Sequence, residues 1–194
     1  MTTLLTIPAA APAALLAALR QKLHSAAWRD GRTTAGNLDP GAKSNEQLGE
    51  DDPLAVELGR AVVSALYANA SFVSAALPAR VSAPLFNRYG AGAAYGRHID
   101  GAVRPAGAGR MRTDLSATLF IDEPEDYDGG ELTIESTAGH HAVKLAAGDL
   151  VLYDASTIHC VVPVSRGVRR AAIFWVQSLV RDPGRRARHR GPAQ

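Results

Sequence analysis

The feature that most constrains this chain is a change of texture at Pro78. Beyond it the sequence breaks into short runs of β-branched and aromatic residues separated by Gly, Pro and Asp, which is how an antiparallel all-β unit reads. Strands are expected near Leu85–Tyr89, Tyr95–Asp100, Leu115–Asp122, Glu131–Ser136, His141–Lys144, Leu150–Tyr153, His159–Val164 and Val168–Gln177, with turns at Tyr127-Asp-Gly-Gly130, Ala146-Ala-Gly-Asp149 and Ser165-Arg-Gly167. Runs of this kind suit a jelly-roll double sheet, whose two facing layers leave room for a cavity.

Before Pro78 the chain reads as helical support for that unit. Leu15, Leu16, Leu19 and Leu23 recur at helical spacing after Pro12. A second amphipathic run starts at Pro53 and continues to about Asn69, with Leu54, Leu58, Val62 and Leu66 on one side. Between them, Asp30 to Asp52 is polar and Gly-rich. At 194 residues and 46% apolar positions the chain supports one buried core and is short for two. The expected division is therefore a helical region over 1–78 within the same globular unit, the β unit over 79–179, and a basic flexible tail over 180–194 that lacks apolar periodicity.

Several function classes drop out. A formal charge of +2, with much of the positive charge in the tail, gives no reason to expect a nucleic-acid partner. The single cysteine, Cys160, excludes an internal disulfide framework and fits a reducing, cytoplasmic compartment. Met1 to Ala18 is apolar without a basic leading segment, and no stretch approaches the roughly 20 apolar residues that span a bilayer, so no membrane association is expected.

The chemistry concentrates in a few residues. His98-Ile-Asp100 sets an imidazole and a carboxylate two positions apart, on one face if the segment is a strand. About sixty residues on, His159 opens the apolar run Cys160-Val-Val-Pro-Val164. Two histidines and one carboxylate on one face of iron leave positions open for a co-substrate and O₂, as non-haem Fe(II) oxygenases require. Zinc usually takes four tetrahedral ligands, and the ligand set alone does not exclude it. Arg169 bears on the choice. By strand register it shares a face with Ala171, Ile173 and Trp175 while Arg170 points away, and a guanidinium there is suited to pair with the far carboxylate of a dicarboxylate.

The chain resembles the PKHD-type hydroxylases, bacterial Fe(II)/2-oxoglutarate dioxygenases related to prolyl 4-hydroxylases. The resemblance rests on Trp28-Arg-Asp-Gly-Arg-Thr-Thr-Ala-Gly36, Leu77-Pro78, Pro84-Leu-Phe-Asn-Arg-Tyr89, His98-Ile-Asp100, Arg112-Thr-Asp-Leu-Ser-Ala-Thr-Leu-Phe120, Glu123-Pro-Glu-Asp-Tyr-Asp-Gly-Gly-Glu-Leu132 and Phe174-Trp-Val-Gln-Ser178. It implies a mainly β protein with N-terminal helices, built as a double-stranded β-helix. It implies His98, Asp100 and His159 as the Fe(II) ligands, Arg169 as the anchor of the 2-oxoglutarate carboxylate, and Tyr89 as a second contact to that carboxylate. The implied reaction consumes O₂ and 2-oxoglutarate, releases succinate and CO₂, and hydroxylates a small molecule or a peptidyl side chain, with L-ascorbate restoring oxidised iron. Members of the family continue past the barrel into a helical extension, where this chain has its Arg-rich segment. The competing reading is a non-catalytic, cupin-like metal-binding or sensor module, since fold alone does not fix function; Arg169 argues against it.

Other residues carry a simpler reading. His140 and His141 are expected as solvated turn residues, and Cys160, next to a ligand and so facing away from it, as a small buried hydrophobe. The acidic run Asp122 to Asp128 lacks EF-hand spacing and is expected as a loop. Arg110, Arg112 and Asp114 are candidates either for the substrate mouth or for a polar strand edge.

Overall fold

The computed structural model describes residues 4–34, 42–107, 109–136 and 139–188. Its centre is a pair of antiparallel sheets facing each other. The larger has the order Leu4–Ile7, Leu150–Asp154, Leu115–Phe120, Arg169–Ser178, Leu85–Tyr89, Glu46–Gln47 and Arg29–Asp30, with Pro78–Val81 joining the Arg169–Ser178 strand. The smaller runs Gly139–Val143, Leu132–Ser136, His159–Val161, Tyr95–His98. This is the double-stranded β-helix that the strand pattern predicts.

Three helices close the outer face of the larger sheet. Helix α1 (Ala13–His24) buries Leu19 and Leu23. Helix α2 (Pro53–Ala68) starts where expected because Pro53 suits the first turn and the Asp52 side chain accepts from Leu54 N at 2.8 Å. It ends at Asn69, whose side chain caps a further helix, α3 (Ala70–Ala76), through Phe72 N at 2.9 Å; this short helix has too few turns to show periodicity in the sequence. Leu19, Val62, Leu66 and Phe72 form one apolar cluster with Ala117, Leu119, Leu152, Ala172, Phe174 and Val176 of the sheet.

Strand alternation sends the intervening residues to the opposite face. Phe120, Val151, Tyr153 and Tyr89 meet Leu132, Ile134 and Val161 of the smaller sheet, so the two layers enclose a second interior with aromatic and polar members.

The expectations need correction at several points. The first strand, Leu4–Ile7, lies in a stretch expected only as apolar lead-in, and it is held by pairing with Leu150–Asp154. The Tyr95 strand stops at His98, not Asp100, and the His159 strand stops at Val161. Ser165-Arg-Gly167 belongs to a short strand, Val164–Gly167, that pairs with Tyr127–Gly129, and a separate hairpin joins Val103–Ala106 to Gly109–Arg112. His140 and His141 sit in a strand rather than a turn, and Ser136 Oγ lies 2.9 Å from His141 Nε2. The basic segment is not wholly a solvated tail. Residues Pro183–Arg188 form helix α4, and Arg186 is buried with Nη2 donating to Asp154 Oδ1 at 2.8 Å. That ion pair and the bond from Arg186 Nη1 to Val180 O at 3.0 Å anchor it, and apolar periodicity reveals neither. Residues 189–194 of the expected tail lie outside the described residues. Among those described, no helix is long and apolar enough to cross a membrane.

Candidate metal centre

His98 and His159 are direct partners across two antiparallel strands of the smaller sheet, so their side chains leave the sheet on the same face. Asp100 follows the end of its strand, yet the alternation survives: Ile99 is 55% exposed while the Asp100 side chain turns inward. One ligand atom from each of the three residues lies within 4.8 Å of the others. Asp100 Oδ1 is 3.9 Å from His98 Nε2, and Asp100 Oδ2 is 3.7 Å from His159 Nε2.

The surroundings fix each ligand. His98 Nδ1 lies 2.8 Å from Gly96 O and His159 Nδ1 lies 2.9 Å from Thr157 O. Carbonyl acceptors place the proton on Nδ1 in both rings and leave both Nε2 lone pairs for a metal. Ser116 Oγ donates to Asp100 Oδ2. Tyr95 stacks on His98 with centroids 3.8 Å apart, and Tyr153 meets His159 edge-on at 5.0 Å. Burial, then the neighbouring His159, pulls His98 down to about 4. Its ring is therefore neutral and able to coordinate at neutral pH. Two imidazoles and a carboxylate on one face, with open cavity on the other, fit an octahedral metal that keeps positions for exchangeable ligands.

These residues form one wall of a cavity of about 510 Å³ between the two sheets. Arg169 reaches the same cavity. It is 1% exposed, it stands directly across from Tyr89 in the larger sheet, and its guanidinium carbon lies 5.2 Å from the Tyr89 ring and 5.3 Å from the Phe120 ring. No carboxylate pairs with it among the described residues, and its Nε is buried without a hydrogen-bond partner. Gly130, at φ +68°, makes the space: a Cβ there would stand 3.0 Å from Arg169 Cδ. Burial pushes the Tyr89 hydroxyl up to about 12 against the opposing charge of Arg169, so it stays a neutral donor.

The remaining candidates separate from this cavity. Arg170, on the other face, donates to Asp122 and to Arg20 O. Arg112 binds Asp114, and Asp114 accepts from Ser178 N, so the two are tied to the end of the Arg169–Ser178 strand and do not line the cavity. The acidic run is taken up by arginines, Asp122 by Arg170 and Asp128 by Arg166. Cys160 is partly buried, not fully, and pairs across to Thr133. Lys43, Tyr95, Arg104, Ser116 and Tyr153, none of them a sequence candidate, also stand on the cavity wall, and Trp175 joins them from the face of Arg169. For Ser116, Tyr153 and Trp175 a signal existed in strand parity, since each shares the inward face of its strand.

The model of the 2OG-Fe(II) oxygenase superfamily matches residues 84–177. A PKHD-type hydroxylase of Klebsiella pneumoniae (strain 342) is 55% identical over 182 residues, 93% of this chain and 81% of the relative. Two solved structures share the fold at low identity. A Pseudomonas putida prolyl-4-hydroxylase has a TM-score of 0.60 at 22% identity, covering 93% of this chain and 95% of that one. HygX from Streptomyces hygroscopicus, solved with nickel and 2-oxoglutarate bound, has a TM-score of 0.60 at 14% identity, covering 92% and 84%. On the extent and identity of the Klebsiella match, the chain belongs to the PKHD-type hydroxylases, enzymes of the 2OG-Fe(II) oxygenase superfamily.

Proposed function

We propose that this chain hydroxylates a C–H bond of a small molecule or peptidyl side chain, holding Fe(II) by His98, Asp100 and His159 and 2-oxoglutarate by Arg169, with Tyr89 beside it. The observation that carries the reading is a buried arginine without a carboxylate partner in the same cavity as two histidines and an aspartate set for coordination. An unpaired buried guanidinium is unfavourable, and the terminal carboxylate of 2-oxoglutarate relieves that cost with charge-assisted hydrogen bonds. Support also comes from HygX, which binds nickel and 2-oxoglutarate on the same fold, and the prolyl-4-hydroxylase neighbour supports a peptidyl substrate.

When bound, iron supplies O₂ activation coupled to oxidative decarboxylation of 2-oxoglutarate to succinate and CO₂, with ascorbate as the reductant that restores oxidised metal. The protein's part is positional. The two carbonyl-anchored imidazoles and the Ser116-bound carboxylate fix three coordination positions; Arg169 fixes the orientation of the dicarboxylate; Tyr153, Leu132 and Val161 limit water around them.

Anaerobic titration with Fe(II) and 2-oxoglutarate, read by the visible charge-transfer band of the bidentate complex, tests the reading. The band forms in wild type and is lost in His159→Ala. Tight metal binding without a band in wild type would replace the oxygenase reading with a metal sensor.

A further inference from the structure

Arg186 is a buried cation that stands outside both the cavity and the stretch matched by the superfamily model, which ends at residue 177. It lies in helix α4 and is 1% exposed; its Nη2 donates to Asp154 Oδ1 at 2.8 Å and its Nη1 to Val180 O at 3.0 Å. A buried ion pair is weak evidence for stability, because packed apolar residues in its place hold a fold as well or better. What the pair fixes in place is more informative.

Asp154 ends the strand Leu150–Asp154 of the larger sheet, and His159 opens the strand His159–Val161 of the smaller one. Residues 155–158 carry the chain between the two layers without a strand or helix. That turn is built on Asp154, whose carbonyl accepts from Thr157 N at 3.0 Å, and Thr157 O in turn lies 2.9 Å from His159 Nδ1. The other histidine is supported differently. His98 takes its carbonyl from Gly96, in its own strand Tyr95–His98, where sheet pairing holds the backbone. His159 takes its carbonyl from a turn, and a turn needs support from outside.

We propose that Arg186 is a positioning residue of the metal centre. By clamping Asp154 it fixes the 155–158 turn, so that Thr157 O holds the His159 ring with Nε2 aimed at the metal. This rests on the metal site of the reading above and makes helix α4 a part of that site. The field of the charges acts in the opposite direction: losing Arg186 removes a positive charge and leaves the Asp154 carboxylate less compensated, and both changes favour a bound cation. A metal held more weakly without Arg186 therefore reports lost positioning.

The test titrates the full chain with Co(II), read by its visible absorption in competition with a chelator. Arg186→Met weakens Co(II) binding about tenfold, the low end for losing a group that orients a metal ligand. In isotope-edited NMR of histidine-labelled protein, the His159 Nδ1–H resonance, identified by its loss in His159→Ala, exchanges with water faster, while that of His98 is unchanged. The double variant of Asp154→Leu and Arg186→Met removes both charges, which leaves stability equal or higher. It still binds Co(II) about tenfold more weakly and still exposes the His159 Nδ1–H to exchange. Co(II) affinity in the double variant equal to or above wild type overturns the proposal, because the pair then serves the fold alone. Equal disturbance of the His98 and His159 resonances, or a double variant that does not fold, overturns it on the same ground. If Arg186→Met alone does not fold, the double variant decides. Wild-type protein that binds no Co(II), or binds it as well after His159→Ala, loses the metal-site reading together with this one; binding that needs His159 and not Arg186 removes only this one.

Discussion

The two faces of the larger sheet are built from the same strands and solve opposite problems. Toward the helices, Ala117, Leu119, Leu152, Ala172, Phe174 and Val176 form a dry apolar layer, and the cations at its margin are matched, Arg170 by Asp122 and Arg88 by Glu46. Toward the smaller sheet, the residues in between supply Ser116, Tyr153, Arg169 and Trp175 to a cavity, where Arg169 is buried with no carboxylate beside it. The helix side is satisfied within the chain; the cavity side is satisfied only with ligands. Stability should therefore be read from one face and binding from the other.

Substitution on the helix side gives the largest stability effect. Phe174 is 1% exposed and meets Phe72 edge-on at 6.4 Å, so Phe174→Ala should cost about 3–5 kcal/mol in denaturant unfolding. The folded fraction should still form the Fe(II)/2-oxoglutarate band with an unchanged midpoint. A midpoint displaced more than about tenfold would show that the two faces are coupled and break the comparison.

The neighbouring arginines sharpen it. Arg169→Met should raise the 2-oxoglutarate needed for half-maximal band by roughly 10- to 150-fold, the range expected for losing a charged hydrogen bond of about 1.5–3 kcal/mol. It should leave the apoprotein at least as stable, because an unpaired buried charge is removed. Arg170→Met should do the reverse, lowering stability by stranding Asp122 and leaving the co-substrate midpoint in place. Equal stability losses in the two variants would mean that Arg169 is paired within the protein after all.

This division was largely legible from sequence because it follows the period of a strand. Counting in twos from Arg169 gives Ala171, Ile173 and Trp175 on one side and Arg170, Ala172 and Phe174 on the other, and the structure keeps that parity. His98 and His159 could be nominated by residue type, and the cross-strand register that joins them follows from the jelly-roll topology. What escaped depends on contacts between distant segments without a period of their own. Lys43 lies in the polar, Gly-rich stretch and reaches the cavity through a single bridge to Tyr95. Arg104 rides on a hairpin that lacks alternating hydrophobicity. Arg186 is buried with its ion pair to Asp154, in a segment whose composition reads as solvated.

Metal removal tests whether the cavity face contributes stability only with its ligand. A divalent ion bound by His98, Asp100 and His159 at about a hundredfold excess over its dissociation constant stabilises the native state by about 2.7 kcal/mol. Chelation should lower the thermal midpoint accordingly, Ni(II) or Mn(II) should restore it, and His159→Ala should abolish the difference. A chelator effect that persists in His159→Ala would place the metal elsewhere.

The smallest effect, and the finest probe of the cavity face, is the pH dependence of the Lys43 charge. Burial first, and then the nearby charge of Arg104, lowers Lys43 from 10.5 to about 8, with Asp30 pulling in the opposite direction. Its charged form therefore dominates below about pH 8 and is lost above it, whereas the unfolded chain keeps the proton up to the ordinary lysine range. Stability should rise with pH across the interval from about 8 to 10.5, because there the unfolded state binds the extra proton. Lys43→Arg, which stays charged, should flatten the curve, and Arg104→Met should raise the Lys43 midpoint by removing a like charge. Tyr95, the aromatic neighbour, is pushed up to about 12 by burial and does not titrate in this window. A rise in stability with the same midpoint in Lys43→Arg would assign the titration to another group.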